Sequence, residues 1–315
     1  MQRKVIASGE NILDIQFENG RPISATPGGS AFNSAVSLAQ TGINTCFIGE
    51  TGNDETGKNI RRFMAEHNMQ TQFMQIRPDR KTAVALAFMN ENHEAHYEFY
   101  RELPTPNPNF QIPEFQEQDI LLFGSYYAIC PALNQQTERL LKQAQTSKAF
   151  IYYDLNFRPS HRKERNQLLP IIEQNCRMAS IVRASADDFD ALFNERNLER
   201  IYKEYLQAWC PILIGTSGPE NIQIFTPQKY YQFSTPKINP VSTIGAGDNF
   251  NAGFIYALIK LGITNNQLNN LTTPIWQQLV SCGTTFATHV CMRRENTISP
   301  DFDYKSTLNL QKKTT

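Results

Sequence analysis

The chain has 315 residues, of which 40% are hydrophobic and 19% charged, an ordinary composition for a globular protein with a large core. Its 30 basic and 30 acidic residues cancel, which argues against nucleic acid or a charged membrane surface as a partner. The six cysteines show neither a Cys-x-x-Cys pair nor zinc-ligand spacing, so we expect free thiols in a reducing compartment. The first residues lack an apolar signal core and no apolar run has membrane-spanning length, so we expect a cytoplasmic protein.

The N-terminal part of the chain contains a glycine-rich turn that opens a helix. A strand over residues 4–7 precedes the turn Pro27-Gly28-Gly29-Ser30, and small residues recur at helical spacing after it. We expect Ser30 to cap that helix. Asn33 lies in its first turn, either as a ligand-binding residue near the glycines or as an ordinary polar residue of the cap region.

Strands and helices then alternate along the chain. Strands are predicted at residues 45–49, 71–76, 82–89, 96–101, 120–123, 149–154, 181–183 and 211–215, with a hairpin at 221–225 and 230–233. Helices are predicted at residues 54–67, 131–144, 166–177, 187–193, 198–209 and 272–292. This alternation predicts a parallel sheet covered by helices on both faces, with ligands bound beyond the carboxyl ends of the strands. Polar residues follow the strands at Asp154, Asn156, Arg158, Ser185, Asp188, Thr216 and Gly218.

The most informative stretch is residues 243–250, Thr-Ile-Gly-Ala-Gly-Asp-Asn-Phe, which leads into an amphipathic helix. Gly245 to Gly247 would present backbone N–H groups at the helix N-terminus, where the macrodipole favours an anion. Asp248 adds a carboxylate in the same turn, and an anion site beside a base is what phosphoryl transfer to a hydroxyl needs. Alternatively, Asp248 only complements the helix dipole. The stretch lacks the Lys-Ser/Thr of a P-loop, and no G-x-G-x-x-G follows a strand.

Two segments in fixed order resemble the ribokinase-like (PfkB-type) carbohydrate kinase family. Residues 27–33 (PGGSAFN) with 49–57 (GETGNDETG) resemble the N-terminal signature, and residues 245–254 (GAGDNFNAGF) resemble the C-terminal one. Residues 99–101 (FYR) and 154–159 (DLNFRP) are similar to segments of the fructokinase and 2-keto-3-deoxygluconate kinase branch. The resemblance covers residues 4–300.

The resemblance implies a fold and an activity. It implies one ribokinase-like α/β domain over residues 1–315, a Rossmann-like parallel sheet with helices on both faces, and a small β-sheet lid from about residues 11–23 and 82–101. It also implies ATP-dependent, Mg²⁺-assisted transfer of the γ-phosphate to a sugar hydroxyl, most closely as a fructokinase. The partners would then be a small-molecule sugar and ATP.

The resemblance further implies roles for individual residues. Asp248 would be the general base, and the amides of Gly245, Ala246 and Gly247 the anion hole. The sugar would contact Asp14, Gly28, Gly29, Asn33, Phe99, Arg101 and Arg158. The nucleotide side would include Ser185, Thr216, Gly218 and Gly283, with Asp188 as a metal ligand. Arg158 suits a phosphate or an acidic sugar because its guanidinium can bind bidentately, or it forms a structural ion pair with Asp154.

Departures from the family pattern leave alternatives open. Ser242 stands where the family has the Asp that accompanies a monovalent-cation site in several members, so the sequence does not predict that site. Gly283 stands where the family usually has an Asn, in the C-terminal segment on the adenine side. One alternative is therefore a sugar- or nucleotide-binding homologue with impaired catalysis. Another is a kinase for ribose, a nucleoside or 2-keto-3-deoxygluconate. The lid face with Tyr97 and Phe99 either joins two subunits into a homodimer or only covers the sugar.

Overall fold

The computed structural model describes residues 3–89, 95–107 and 109–308. Its strands are β1 (Val5–Ser8), β2 (Ile12–Glu18), β3 (Arg21–Gly28), β4 (Thr45–Gly52), β5 (Met74–Arg77), β6 (Val84–Met89), β7 (Ala95–Tyr100), β8 (Ile120–Gly124), β9 (Phe150–Asp154), β10 (Ile181–Ser185), β11 (Leu213–Thr216), β12 (Asn221–Phe225) and β13 (Tyr230–Ser234). Its helices are α1 (Ser30–Gln40), α2 (Glu55–Glu66), α3 (Ser125–Ile129), α4 (Asn134–Thr146), α5 (Arg165–Met178), α6 (Ala186–Phe193), α7 (Leu198–Ile201), α8 (Gln207–Trp209), α9 (Ala246–Lys260) and α10 (Thr273–Cys291).

Nine strands form the main sheet, in the order β13-β12-β11-β10-β9-β8-β1-β4-β5. The strands from β11 to β5 are parallel, and the predicted hairpin β12–β13 adds two antiparallel strands at one edge. Two apolar cores lie on the two faces of the sheet, one containing Phe32, Phe254 and Trp276 and the other containing Tyr153 and Phe189. The predicted α/β fold with helices on both faces is confirmed.

A separate four-stranded sheet, the lid, has the order β3-β2-β6-β7. Strands β2 and β6 are parallel, while β2–β3 and β6–β7 are antiparallel. The two predicted lid segments are therefore strand-forming, but β3 continues past residue 23 to Gly28. Because α1 begins only two residues later, this strand carries the glycine turn from the lid directly into the main domain.

Local features differ from the sequence-based predictions at three places. Ser30 is the first residue of α1 rather than its cap, and the cap position is Gly29. The helix expected at 131–144 begins at Asn134 after a 3₁₀ turn, which suits Pro131 because the proline lacks an N–H, and the short helix α3 precedes it unpredicted. The helix expected at 198–209 contains a π-helical turn over Tyr202–Leu206.

Helices α9 and α10 cross at unusually close range. A Cβ on Gly253 would meet the backbone of Cys282 and Gly283, and one on Gly283 would meet Phe250. Such close backbone approach is possible only where the side chain is missing. The crossing therefore fixes α9, which carries residues 246–248, against the largest helix of the fold.

Two further properties concern the described chain as a whole. Within residues 3–89, 95–107 and 109–308, no helix has both the length and the apolar character that a membrane span requires. All six cysteines lie in these ranges, buried and without a disulfide partner, as predicted from their spacing.

Candidate active site

A cavity of about 930 Å³ lies between the lid and the carboxyl ends of the parallel strands. It is where an open α/β sheet is expected to bind its ligand. It is larger than a cleft of about 470 Å³ beside the edge strand β5. The predicted site residues that line the larger cavity are Asp14, Gly29, Asn33, Phe99, Arg101, Arg158, Ser185, Asp188, Gly245, Gly247 and Asp248.

The N-terminus of α9 faces this cavity. Gly245 is left-handed, with φ +78°, and a Cβ there would press on the backbone of Asn296. Ala246 donates its N–H to the carbonyl of Thr243 at 3.3 Å. Among the described residues, the N–H groups of Gly245 and Gly247 have no such partner. The turn thus offers glycine amides to an anion, with Ala246 partly engaged elsewhere.

The Asp248 carboxylate is held from two sides by helix α1. Oδ1 accepts a hydrogen bond from Ser30 Oγ at 2.7 Å, and Oδ2 accepts one from Asn33 Nδ2 at 2.8 Å. Burial raises the pKa of Asp248 to about 6, although these two hydrogen bonds act in the opposite direction. Asp248 is therefore fixed in orientation and basic enough to accept a proton near neutral pH. Asn33, expected at the sugar, donates to Asp248, and its own Oδ1 is buried without a partner.

Asp14, on lid strand β2, is a second buried carboxyl in the cavity. Burial, followed by the charges of Asp248 and Glu10, raises the pKa of Asp14 to about 7. Gly28 leaves the room that Asp14 occupies, because a Cβ on Gly28 would collide with Asp14 Oδ2. Gly29 has φ +127°, and a side chain there would also meet the carbonyl of Glu10. Gly28 is thus required by the packing of Asp14, and Gly29 by its left-handed backbone and the close approach of Glu10.

Arg101 connects the lid to the main domain. Its Nη1 lies 3.4 Å from Glu10 Oε2, and its guanidinium lies 5.1 Å from the ring centre of Phe99 and 5.4 Å from that of Tyr126. Phe99 is about half exposed and stacks on Tyr97 at 5.7 Å between ring centres. These contacts close one side of the cavity with a cation held between aromatic rings.

The structural ion pair between Arg158 and Asp154, one of the two alternatives for Arg158, is absent. Asp154 Oδ1 instead accepts from Arg183 Nη1 at 3.1 Å, and its Oδ2 accepts from Asn251 Nδ2 at 2.8 Å. Strands β9 and β10 are neighbours, so Arg183 and Asp154 sit opposite each other in register. Arg158 has no ion pair among the described residues and lines the cavity with an exposed side chain. That leaves its guanidinium available to a ligand.

Arg183 is a functional candidate that the sequence reasoning missed. It is buried, donates to Thr216 Oγ1 at 3.0 Å, and would touch any side chain placed at Gly247. Its positive charge therefore lies next to the glycine turn at the N-terminus of α9, and it lines the same cavity. The available signal was a lone arginine inside an otherwise apolar strand, since buried arginines are rare unless paired.

The remaining residues predicted for the nucleotide side lie in three separate parts of the fold: the start of α6, an exposed turn and the α9–α10 crossing. Ser185 and Asp188 form a reciprocal capping box at the start of α6, in which Asp188 Oδ2 accepts the Ser185 N–H at 2.6 Å. Gly218 lies in an exposed turn with φ +52°. Gly283 is buried in the α9–α10 crossing, so its packing, rather than a nucleotide contact, accounts for the glycine. Ser242 Oγ accepts the N–H of Ile244 at 3.2 Å.

Comparisons with known proteins agree on one family. A model described as "pfkB family carbohydrate kinase" matches residues 14–292. The fructokinase of Salmonella typhimurium is 24% identical over 272 residues, covering 84% of this chain and 87% of that protein. The fructokinase of Escherichia coli is 23% identical and covers 85% and 88%.

Solved structures show the same fold. The aminoimidazole riboside kinase from Salmonella enterica, complexed with aminoimidazole riboside and an ATP analog, has a TM-score of 0.82 at 19% identity, covering 97% of this chain and 99% of that one. Fructokinase with bound ATP from Xylella fastidiosa also has a TM-score of 0.82, at 19% identity and 98% coverage of both chains. The predicted ribokinase-like fold is thereby confirmed. Because the family model spans most of its length, the chain is an enzyme of the PfkB family of carbohydrate kinases.

Proposed function

We propose that this carbohydrate kinase transfers the γ-phosphate of ATP to a hydroxyl of a small sugar, with fructose as the first candidate. One observation carries the proposal: the Asp248 carboxylate, fixed by Ser30 and Asn33, shares a cavity with the N-terminus of α9. A base and an anion site at this spacing serve the two demands of phosphoryl transfer to an alcohol. The fructokinase relatives support the choice of sugar.

Asp248 would accept the proton of the attacking hydroxyl. Each carboxylate oxygen keeps an acceptor site beyond the one used by α1, so the substrate hydroxyl need not displace Ser30 or Asn33. A pKa of about 6 leaves Asp248 ionised at neutral pH while keeping it a stronger base than an exposed aspartate. Such a base contributes roughly 10²–10⁴ to the rate.

The charge of the transferring phosphoryl group would be met by the amides of Gly245 and Gly247 and by Arg158. The amides have no other backbone acceptor in the described chain, and Arg158 has no ion pair there. Donors that are already oriented need no rearrangement during the reaction, and losing one typically costs about 10²–10³ in rate. Arg183, which lines the same cavity and lies next to Gly247, would add positive charge beside the turn.

Asp14 would bind sugar hydroxyls at the lid side of the cavity, next to Gly28 and Gly29. Phe99 and Arg101 would cover the sugar from β7 and the segment that follows it. With the lid in this position the sugar would be shielded from water, which favours transfer over hydrolysis of ATP.

Mg²⁺ would be held by Asp188 together with the phosphates of ATP. The residues fit: Asp188 lines the cavity and uses only Oδ2 in the capping box, so Oδ1 remains for a metal. Among the described residues no cluster of three or more His, Cys, Asp or Glu side chains could hold a metal, and Mg²⁺ commonly uses one or two carboxylates plus phosphates and water. Bound there, Mg²⁺ would neutralise phosphate charge. We do not propose a monovalent-cation site.

A riboside is the second candidate substrate. A relative that is 21% identical over 267 residues is named aminoimidazole riboside kinase. The cavity volume of about 930 Å³ lies within the range of small-molecule pockets, about 300–1,000 Å³, and does not by itself separate a sugar from a riboside. Ribose, nucleosides and 2-keto-3-deoxygluconate belong in the same panel of acceptors.

The test is a coupled assay of ADP release over that panel with the wild-type enzyme and Asp248→Asn. We expect sugar-dependent ADP release that falls by at least about 10²-fold in Asp248→Asn, with the thermal unfolding temperature little changed. Asp303→Asn removes an aspartate that caps a 3₁₀ turn far along the chain and should retain activity. Wild-type protein that releases ADP at the same rate with and without every sugar would refute the proposal, as would full turnover by Asp248→Asn.

Two properties stay predictions. A cytoplasmic location is favoured by six buried, unpaired thiols, because disulfides are rare in reducing compartments. A homodimer through the lid face of Tyr97 and Phe99 is favoured by the half-exposed ring of Phe99. Light scattering after size-exclusion chromatography would exclude the dimer if the purified protein has the mass of one chain.

A further inference from the structure

One hydroxyl lies between two carboxylates at the floor of the cavity. Ser30 Oγ is 2.7 Å from Asp248 Oδ1 and 3.4 Å from Asp154 Oδ2. Ser30 is the first residue of α1 and makes no capping hydrogen bond, so its hydroxyl is not committed to the helix end. A hydroxyl has a single proton and can donate to only one of the two carboxylates at a time. The shorter distance shows that Asp248 is the acceptor in this state.

The second carboxylate is held as a charged group. Asp154 is 2% exposed and accepts from Arg183 and Asn251. Removing the charge from one partner of a buried ion pair leaves the other uncompensated, which is strongly unfavourable. Because Asp154 is paired with Arg183 and Asn251, it remains available as an acceptor for the Ser30 hydroxyl.

We propose that Ser30 is a positioning residue that moves its hydrogen bond from Asp248 to Asp154 when Asp248 takes up the substrate proton. This rests on the proposed function, in which Asp248 is the base. The substrate O–H bond breaks, and its proton forms a new O–H bond on Asp248. Ser30 keeps its own proton and only rotates about its Cβ–Oγ bond. A hydroxyl donates more strongly to a charged carboxylate than to a neutral one, so the protonation of Asp248 drives the change.

The hydrogen bond from Ser30 affects the ionisation of Asp248. Before transfer, the Ser30 hydrogen bond favours the charged form of Asp248. The other titratable or charged groups that face Asp248 are Asp154 and Arg158 from β9 and the segment after it, Asp14 from β2 and Tyr97 from β7. The substitution Ser30→Ala leaves all four in the chain. A change in the ionisation of Asp248 in that variant therefore reports the lost hydrogen bond.

The test is the pH dependence of kcat for the sugar kinase reaction, from about pH 5.5 to 9, in Ser30→Ala. We expect the acidic limb to move up by at least about half a pH unit, with a loss of about twofold or more at pH 6 and almost none at pH 8.5. Ser30→Thr keeps a hydroxyl and should restore the wild-type limb. Ser30→Cys keeps the size but donates weakly, so its limb should lie between the two.

Ser37→Ala is the matched control. Ser37 lies on the same helix and donates to Asn249 Oδ1 at 2.6 Å, next to Asp248 in sequence but outside the cavity. The Ser37→Ala variant loses a buried hydrogen bond between α1 and α9 but none to Asp248. The acidic limb of its kcat profile should therefore stay in place. If Ser30→Ala does not fold, the positions of the acidic limb in Ser30→Thr and Ser30→Cys are compared with each other instead.

A loss in Ser30→Ala that is equal at every pH, or a limb unmoved in both Ser30→Ala and Ser30→Cys, would overturn the hydrogen-bond switch. Neither result contradicts the proposed kinase function, provided that the wild-type enzyme phosphorylates a sugar and Asp248→Asn does not. Failure of the function itself is recognised separately, because the wild-type protein would then release no ADP with any sugar.

Discussion

Replacing Asp14 with asparagine is expected to stabilise the protein at alkaline pH while weakening sugar binding. Burial and the nearby charges of Asp248 and Glu10 raise the pKa of Asp14 from 3.8 to about 7. Between these values the folded protein holds a proton that the unfolded chain has released, so the free energy of unfolding falls as pH rises through this window. At 1.36 kcal/mol per pKa unit, the ionised Asp14 costs on the order of 4 kcal/mol above pH 7.

The assay is urea unfolding of the wild type and Asp14→Asn at about pH 5 and about pH 8. About two of the pKa units lie in that interval, so the wild type should lose about 3 kcal/mol more than the variant. Asp248, with a pKa near 6, contributes a decline of the same sign in both proteins. Glu117→Gln removes an exposed carboxylate and should behave as the wild type.

Equal changes in the unfolding free energy of the wild type and Asp14→Asn between the two pH values would refute the reasoning about Asp14.

The effect of Asp14→Asn on sugar binding is measured separately, by steady-state kinetics. Loss of a charged hydrogen bond of about 1.5–3 kcal/mol should raise the KM for the sugar roughly 10- to 100-fold in Asp14→Asn. A variant that is both more stable at pH 8 and weaker in sugar binding would show that this carboxyl is retained for ligand binding at the expense of stability.

Two other substitutions probe the surroundings of the cavity. Arg183→Met leaves Asp154 buried without its cation and should lower the free energy of unfolding by about 3–5 kcal/mol, measured in urea, and the double variant with Asp154→Asn should recover part of it. Arg101→Ala removes the Glu10 ion pair and the contacts with Phe99 and Tyr126, so the KM for the sugar should rise about tenfold while that for ATP changes less than about twofold. An equal rise in both KM values would contradict the assignment of Arg101 to the sugar side.

The sequence predicted a carboxylate and a glycine turn at the start of a helix because both depend on local pattern. Helical spacing after Phe250 and glycines before Asp248 place a carboxylate at a helix start without any knowledge of the rest of the fold. Strand alternation likewise predicted the parallel sheet, whose strand order the pattern does not contain. Local pattern was enough wherever one element alone decides the geometry.

Contacts between elements distant in the chain could not be predicted in this way. Arg158 is four residues from Asp154, yet Arg183 pairs with Asp154 because β9 and β10 lie side by side. Ser30 has the residue type of a helix cap, yet its hydroxyl turns to Asp248, 218 residues away. In both cases the local preference was reasonable, and a charged partner from a distant part of the chain outweighed it.

The close crossing of α9 and α10 has a consequence for how such an enzyme can diverge. Gly253 and Gly283 anchor the helix that carries the proposed base and anion site, so a substitution there would shift Asp248 and the glycine turn together. The lid strands β2, β3, β6 and β7 form a sheet of their own, and their residues reach the cavity from the opposite side. Substitutions that change the preferred acceptor can therefore accumulate in the lid strands, while α9 and its glycine turn stay the same.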